Sequence, residues 1–385
     1  MAVLTREQIT ALVDLRHALH RRPELSGDES ETANRMAKEL TALGADRIWS
    51  DLGGHGVAAE FKGAQDGPTV LLRCELDGLP IHEVSDISYR SETDGKGHLC
   101  GHDGHMVSML GVAMGLAQRP ARGRVILLFQ PAEETGAGAK AVIDDKRWPE
   151  LRPDFAFAYH NVPGRQLGEI GLRPGPGNCA SRGMQILLEG KSSHAAAPED
   201  GLSPSVAMAA LMQALPELSS GTIGSKTFAL STLTHAKLGE PTYGIAPGHG
   251  ELRVTLRCMT DERMEALVSD AKALVATHTA DLAIKVLWHD IFLSVTNDGE
   301  ATDIAGRVAA RQGHVRHDMP TPMRWSEDFG RYGGDGAKAT LLYIGAGETH
   351  PQLHNPDYDF PDALIPLVTD LFSGIIADIL GPASA

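Results

Sequence analysis

Residues 98–105 read HLCGHDGH, bringing His98, Cys100, His102, Asp103 and His105 into eight positions, and two carboxylates follow at Glu133 and Glu134. Thiol, imidazole and carboxylate donors at this density suit a catalytic metal site. In a locally extended chain, alternation places His98, Cys100 and His102 on one side, where a thiolate and an imidazole two residues apart can grip one cation. A structural zinc site needs four Cys or His ligands in two close pairs, and the sequence has no such arrangement. The cluster therefore reads as an open, reactive centre. Any one of these residues, taken alone, fits the plainer picture of a reduced core cysteine beside solvated histidines. Glu133 and Glu134 would likewise suit a helix start with no chemistry attached.

The elements that must position these residues follow an α/β pattern. Leu12, Leu15, Leu19 and Met36, Leu40, Leu43 recur at helical spacing, whereas Thr69–Leu72, Val125–Phe129, Phe155–Tyr159 and Ala339–Ile344 read as buried strands. Glu133 and Glu134 come just after the second of these strands, His160 ends the third, and His354 lies ten residues after Ile344. Ligands of open α/β sheets gather at such carboxyl ends. HLCGHDGH in turn opens a helix with Met106, Leu110, Ala113 and Leu116 along one face.

The 385 residues, 42% apolar and 22% charged, are enough for two or three domains with sizeable cores. A different texture begins near Ser181: a strand at Gly183–Glu189, a helix at Pro204–Leu218, strands near Thr227–Leu233 and Glu251–Arg257, a helix near Asp261–Thr279 and a strand near Leu282–Trp288. This reads as a small α+β unit inserted between GLRPGPGN and SVTNDG, plausible hinges. The expected division is residues 1–180 with 294–385 as a discontinuous first domain and 181–293 as the insertion. Four widely spaced cysteines, Cys74, Cys100, Cys179 and Cys258, show no disulfide spacing. The opening MAVLTREQITALVDLRHALHRR is broken by charges, and no later stretch approaches a membrane span, so the expectation is a cytoplasmic protein. A net charge of −15 with no basic stripe excludes nucleic acid and anionic membranes as expected partners.

HLCGHDGH, FQPAEETGAGAKAVIDD, YHN at 159–161, GKSSHAAAPEDG at 190–201, SEDFG at 326–330 and LHNPDYDF at 353–360 together resemble the M20 family of metallopeptidases and amidohydrolases. The resemblance is to the branch of hippurate hydrolases, N-acyl-amino-acid deacylases and auxin-conjugate hydrolases, and it spans nearly the whole chain in order. It implies a catalytic domain with a mostly parallel mixed sheet flanked by helices, an inserted lid and dimerisation domain, and a homodimer. The implied activity is metal-dependent cleavage of the amide bond of an N-acyl amino acid. The family's metal ligands carry over to Cys100, His102, Glu134, His160 and His354, a two-metal set with Cys100 as the bridge. Zinc or manganese is the implied cation pair, with cobalt and nickel as variants, and a thiolate with three imidazoles favours such softer ions over magnesium or calcium. Glu133 matches the family's catalytic carboxylate, which takes a proton from water and passes it to the departing nitrogen. Asp103 then orients a ligand imidazole, or else caps the helix. His194 matches a histidine that reaches the substrate carbonyl of the other subunit, and Arg257 one that holds the substrate's carboxylate.

Departures from the family pattern fall away from the ligands. Gly244-Ile245-Ala246-Pro247 replaces an Asn-Val-Ile-Pro turn whose asparagine helps hold substrate, and Glu75-Leu76-Asp77-Gly78-Leu79-Pro80 replaces DxDALP with one acid lengthened. His235 stands where the family often has glycine. Three other readings stay open at this point: a dipeptidase or carboxypeptidase, an amidase using Cys100 as nucleophile without metal, and a non-catalytic metal-binding protein.

Overall fold

A computed structural model describes residues 4–279 and 281–382; residues 1–3, the start of the segment read above for a signal peptide, lie outside the described residues. The contacts divide the chain into two compact units: Met1–Gly177 with Thr296–Pro320 and Asp328–Ala385, and Asn178–Val295 with Thr321–Glu327.

The first unit is built on an eight-stranded mixed sheet. With β1 at Arg47–Leu52, β2 at Gly56–Lys62, β3 at Gln65–Glu75, β4 at Arg122–Gln130, β5 at Phe155–Val162 and β6 at Ile170–Leu172, its order is β1, β2, β4, β3, β5, Lys338–Gly345, β6, Arg316–Asp318. The middle four strands, β4, β3, β5 and Lys338–Gly345, run parallel, and β1, β2 and β6 join antiparallel. The parallel strands are the continuous apolar runs of the sequence: Val125–Phe129 and Leu341–Ile344 are fully buried because helices cover both faces. Their parallel direction brings Glu75, Gln130, Val162 and Gly345 to the same sheet edge.

Three of this unit's helices precede β4 in the chain. The first, α1 (Arg6–His20), opens with a capping box in which Thr5 Oγ1 accepts from Gln8 N at 3.2 Å and Gln8 Oε1 accepts from Thr5 N at 2.8 Å. Next comes α2 (Ser30–Ala42), with Met36 and Leu40 buried at helical spacing. The third, α3 (His102–Gly115), differs from the expectation of one apolar face: nearly all its residues are buried, because α1, the C-terminal helix Leu364–Leu380 and the sheet enclose it.

The second unit is a four-stranded antiparallel sheet ordered Ala229–Leu238, His249–Cys258, Ala180–Glu189, Ala283–Phe292. Helices Ser205–Ala214 and Asp261–His278 pack on it through Met208, Leu211, Leu267 and Ala271, against Met184, Ile186 and Leu188. His235 sits at a register shift of the edge strand and is exposed.

Candidate metal centre

The segment carrying Cys100 is not extended throughout. Gly101 takes a left-handed φ of 94° and caps α3, so His102 begins the helix. A Cβ at Gly101 would stand 2.8 Å from Asn161 Oδ1, so both its φ and the close approach require glycine. This turn breaks the alternation expected for His98, Cys100 and His102. His98 is buried elsewhere, with neither ring nitrogen hydrogen-bonded, and burial, together with the nearby His20 and His102, pushes its pKa down to about 4.

The ligand candidates come from four places at the carboxyl edge of the parallel strands. Donor atoms of Cys100, His102 and His160 lie within 4.8 Å of one another, and so do those of Cys100, Glu134 and His354. The two sets share Cys100 and nothing else. Glu133, buried, lies within the same distance of His102 and Glu134 but belongs to neither Cys100 set. The turn presenting both glutamates has Ala132 at a φ of 49°, and its backbone is held by Glu29, whose Oε1 accepts from Ala132 N at 2.8 Å. His354 also has a positive φ, 66°; its N–H donates to Leu99 O at 2.9 Å, and its ring is half exposed.

Asp77 organises this cluster from behind. His102 Nδ1 donates to Asp77 O at 2.8 Å, Glu134 N donates to Asp77 Oδ2 at 3.0 Å, and Ser26 Oγ donates to the same oxygen at 2.7 Å. With Nδ1 committed, His102 Nε2 faces the cluster, buried and without a hydrogen-bond partner, 3.9 Å from Glu134 Oε1. An orphaned nitrogen aimed at a carboxylate and a thiol fits a cation between them. Burial disfavours a charged His102 ring, but Asp77, Glu75 and Glu134 outweigh it and push its pKa up to about 10, so the field at this point favours positive charge. His160 is the complement: burial and the neighbouring His105 hold its ring well below the usual range, Nδ1 donates to Asn161 O at 2.9 Å, and Nε2 stands 3.4 Å from Cys100 Sγ. Burial, Glu134 and Glu133 push the Cys100 thiol well up.

Asp103 departs from its expected role. It neither caps α3, which Gly101 does, nor touches a ligand imidazole. One residue along a helix turns the side chain by about 100°, so Asp103 faces away from His102 and pairs with Arg16 at 3.2 Å and His20 at 2.8 Å. The residue that orients His102 is Asp77, and it lies in the lengthened ELDGLP motif. The other acid of that motif, Glu75, pairs with Arg73 and with His105 Nδ1 at 2.6 Å. His105 Nε2 meets Asn161 Oδ1, while Asn161 Nδ2 donates to Cys100 O at 3.2 Å. Arg16 and His20 carried no motif signal, and His105 and Asn161 stood in the HLCGHDGH and YHN motifs without a role, because their partners lie far away in sequence.

In the second unit, His194 is exposed on a short ribbon, paired in register with Ile245, and its Nδ1 accepts from Ala196 N at 3.0 Å. Gly244 adjoins it, and a Cβ there would meet nothing within 4 Å. Arg257 donates to Ser326 Oγ at 2.8 Å and Arg324 O at 3.4 Å, both neutral, and burial lowers its pKa.

Residues 71–378 match the description peptidase family M20/M25/M40. An N-acetylcysteine deacetylase of Bacillus subtilis is 30% identical over 378 residues, covering 96% of this chain and 97% of that protein. A hippurate hydrolase of Campylobacter jejuni is 29% identical over 360 residues, covering 91% and 92%. Among solved structures, the Bacillus subtilis YXEP protein, described as a dinuclear metal binding peptidase from the M20 family, superposes with a TM-score of 0.80 at 26% identity, covering 98% and 99% of the two chains.

Proposed function

From the premise that this chain belongs to peptidase family M20/M25/M40, we propose that Cys100, His102, Glu134, His160 and His354 hold two divalent cations and that Glu133 moves the proton. The protein is a metal-dependent amidohydrolase that cleaves N-acyl amino acids to a carboxylate and a free amine. The observation that carries the reading is the pair of donor sets joined at Cys100, with a buried carboxylate beside them that neither set uses.

Bound cations supply Lewis acidity and make water a stronger nucleophile at neutral pH. Glu133 accepts the proton of the attacking water and delivers it to the amide nitrogen, which must leave as an amine. Asp77 holds His102 and the backbone of Glu134 fixed while this happens. The donor chemistry, one thiolate and three imidazoles with one carboxylate, suits zinc, and the carboxylate admits manganese. His194 is the proposed donor to the carbonyl oxygen, reaching it from a second copy, and Arg257 the proposed partner of the substrate carboxylate. The second unit is the proposed lid and dimerisation domain. Its strand Ala283–Phe292 stands at a sheet edge with Ile284 and Ile291 exposed, and Val206 on helix Ser205–Ala214 is 80% exposed, both suited to a homodimer contact. A reducing, cytoplasmic setting suits four buried free cysteines.

A nucleophilic Cys100 is disfavoured by its surroundings. Reactive thiols sit in electropositive sites that lower their pKa, and this one is raised by burial and two carboxylates.

The test is hydrolysis of N-acetyl, N-benzoyl and indole-acetyl amino acids and dipeptides by metal-free protein, with and without manganese or zinc, beside Glu133→Ala. Activity restored by metal and absent in the variant supports the reading. Activity indifferent to chelation, and lost on alkylation, would return Cys100 as the nucleophile.

A further inference from the structure

Helix α1 contributes no ligand, yet it carries a fully buried arginine around which acids of two other segments gather. Arg16 Nη1 donates to Asp103 Oδ2 at 3.2 Å and to Asp359 Oδ1 at 2.8 Å, and Nε stands 2.6 Å from Asp362 Oδ1. Its guanidinium lies 4.9 Å from the ring centroid of Tyr89, whose hydroxyl donates to Asp359 Oδ2 at 2.6 Å. His17 stacks on Tyr89 with ring centroids 3.5 Å apart, and its Nε2 lies 3.0 Å from Asp362 Oδ2.

These acids are placed with respect to the ligands. Asp103 follows His102 on α3, while Asp359 and Asp362 follow His354 along one loop. That loop is tied by His354 N to Leu99 O, by Val84 N to Pro356 O at 2.8 Å and by the buried Tyr358 and Phe360, and Arg16 holds its far end through Asp359 and Asp362. His354 has a half-exposed ring, with Nε2 3.6 Å from Glu134 Oε2, on a left-handed backbone, so the course of its loop bears on where the ring stands. Nη1 serves two of these carboxylates and Nε faces the third as an ion pair, a spread of contacts that a single ammonium does not match.

We propose that Arg16 is a positioning residue of the metal centre: from α1 it ties the His354 loop to the helix that presents His102, and so fixes the Cys100, Glu134 and His354 donors as a set. The proposal rests on the two-metal reading given above. It predicts an unequal effect, because the Cys100, His102 and His160 donors have holds of their own: Asp77 O on the His102 ring, Asn161 Nδ2 on Cys100 O and Asn161 O on the His160 ring.

Metal-free wild type, Arg16→Met, Arg16→Lys and Tyr89→Phe are titrated with cobalt, following heat and thiolate-to-cobalt absorption, with circular dichroism as the check of folding. Wild type should take up two equivalents. Arg16→Met should retain one and bind the other roughly 10- to 100-fold more weakly, with partial recovery in Arg16→Lys. Tyr89→Phe, which deletes one hydroxyl and leaves the arginine, should weaken the same ion by less. If Arg16→Met does not fold, Tyr89→Phe and Asp362→Asn decide. Unchanged affinity for the second ion, or equal weakening of both, overturns the role of Arg16 and leaves the metal centre standing. A wild-type chain that binds no cobalt overturns both.

Discussion

At the scale of single residues, the proposed centre divides binding from chemistry between Cys100 and Glu133. Because Cys100 is the one donor common to both ligand sets, Cys100→Ala should cost both ions, whereas His160→Ala or His354→Ala should cost one, as read by metal content after dialysis. Glu133→Gln should keep both ions and lower kcat by about 10²- to 10⁴-fold, with KM for an N-acyl amino acid little changed. Cys100 and His102 were legible because their chemistry is compressed into a few adjacent positions. Asp77 was visible only as a motif acid, since its work is done by a backbone carbonyl and by a hydrogen bond to Glu134 N, 57 residues away. The sequence placed Asp103 beside a ligand because it adjoins one, but helical rotation sends neighbours to different sides.

At the scale of elements, the turn into α3 and the docking of α1 carry separate consequences. Gly101→Ala forces a Cβ into Asn161 at a left-handed φ, and Gly104→Ala drives one into the ring of Phe360. Each should destabilise by about 1–3 kcal/mol and lower Tm in thermal melts, with Gly101→Ala also perturbing the Cys100 donors. On α1, burial disfavours a charged His20, but Asp103 and Glu83 outweigh it and push its pKa up to about 9 from an ordinary 6.5. A pKa raised on folding means that the stabilisation is fully present below pH 6.5 and is lost as pH rises through about 9. The shift is worth on the order of 3 kcal/mol. Melting of metal-free protein from pH 6 to 10 should therefore show falling Tm, and His20→Gln should reduce that slope; it will not abolish it, because His102 loses its proton in the same range. The apolar periodicity of α1 and α2 and the continuous runs of the parallel strands were legible because burial dictates composition directly. The all-round burial of α3 was not, because the helices that enclose it come from the two ends of the chain. The β1–β2 hairpin was missed for a related reason: its strands mix polar and apolar residues, and its burial depends on pairing with β4 and on covering by α2.

At the scale of the whole molecule, the second unit makes the assembly testable. If the proposed dimer forms through this unit, Val206→Glu with Ile284→Lys should convert it to a monomer in sedimentation and lower activity together with it, and His194→Ala should lower kcat without changing mass. Mixing inactive Glu133→Gln chains with inactive His194→Ala chains should restore part of the activity if one copy completes the centre of another. The first unit has a temporal property as well. Its central strand Lys338–Gly345 slots between β5 and β6, and His354 follows it, whereas Cys100, His102, Glu134 and His160 all precede residue 178. A chain emerging from the ribosome therefore has one donor set complete long before the other, and with the sheet still open along β5. Under the proposed ligand assignment the second donor set cannot close before residue 354 has been made, so a chain truncated ahead of His354 is expected to hold no more than one ion, as metal content after dialysis would show.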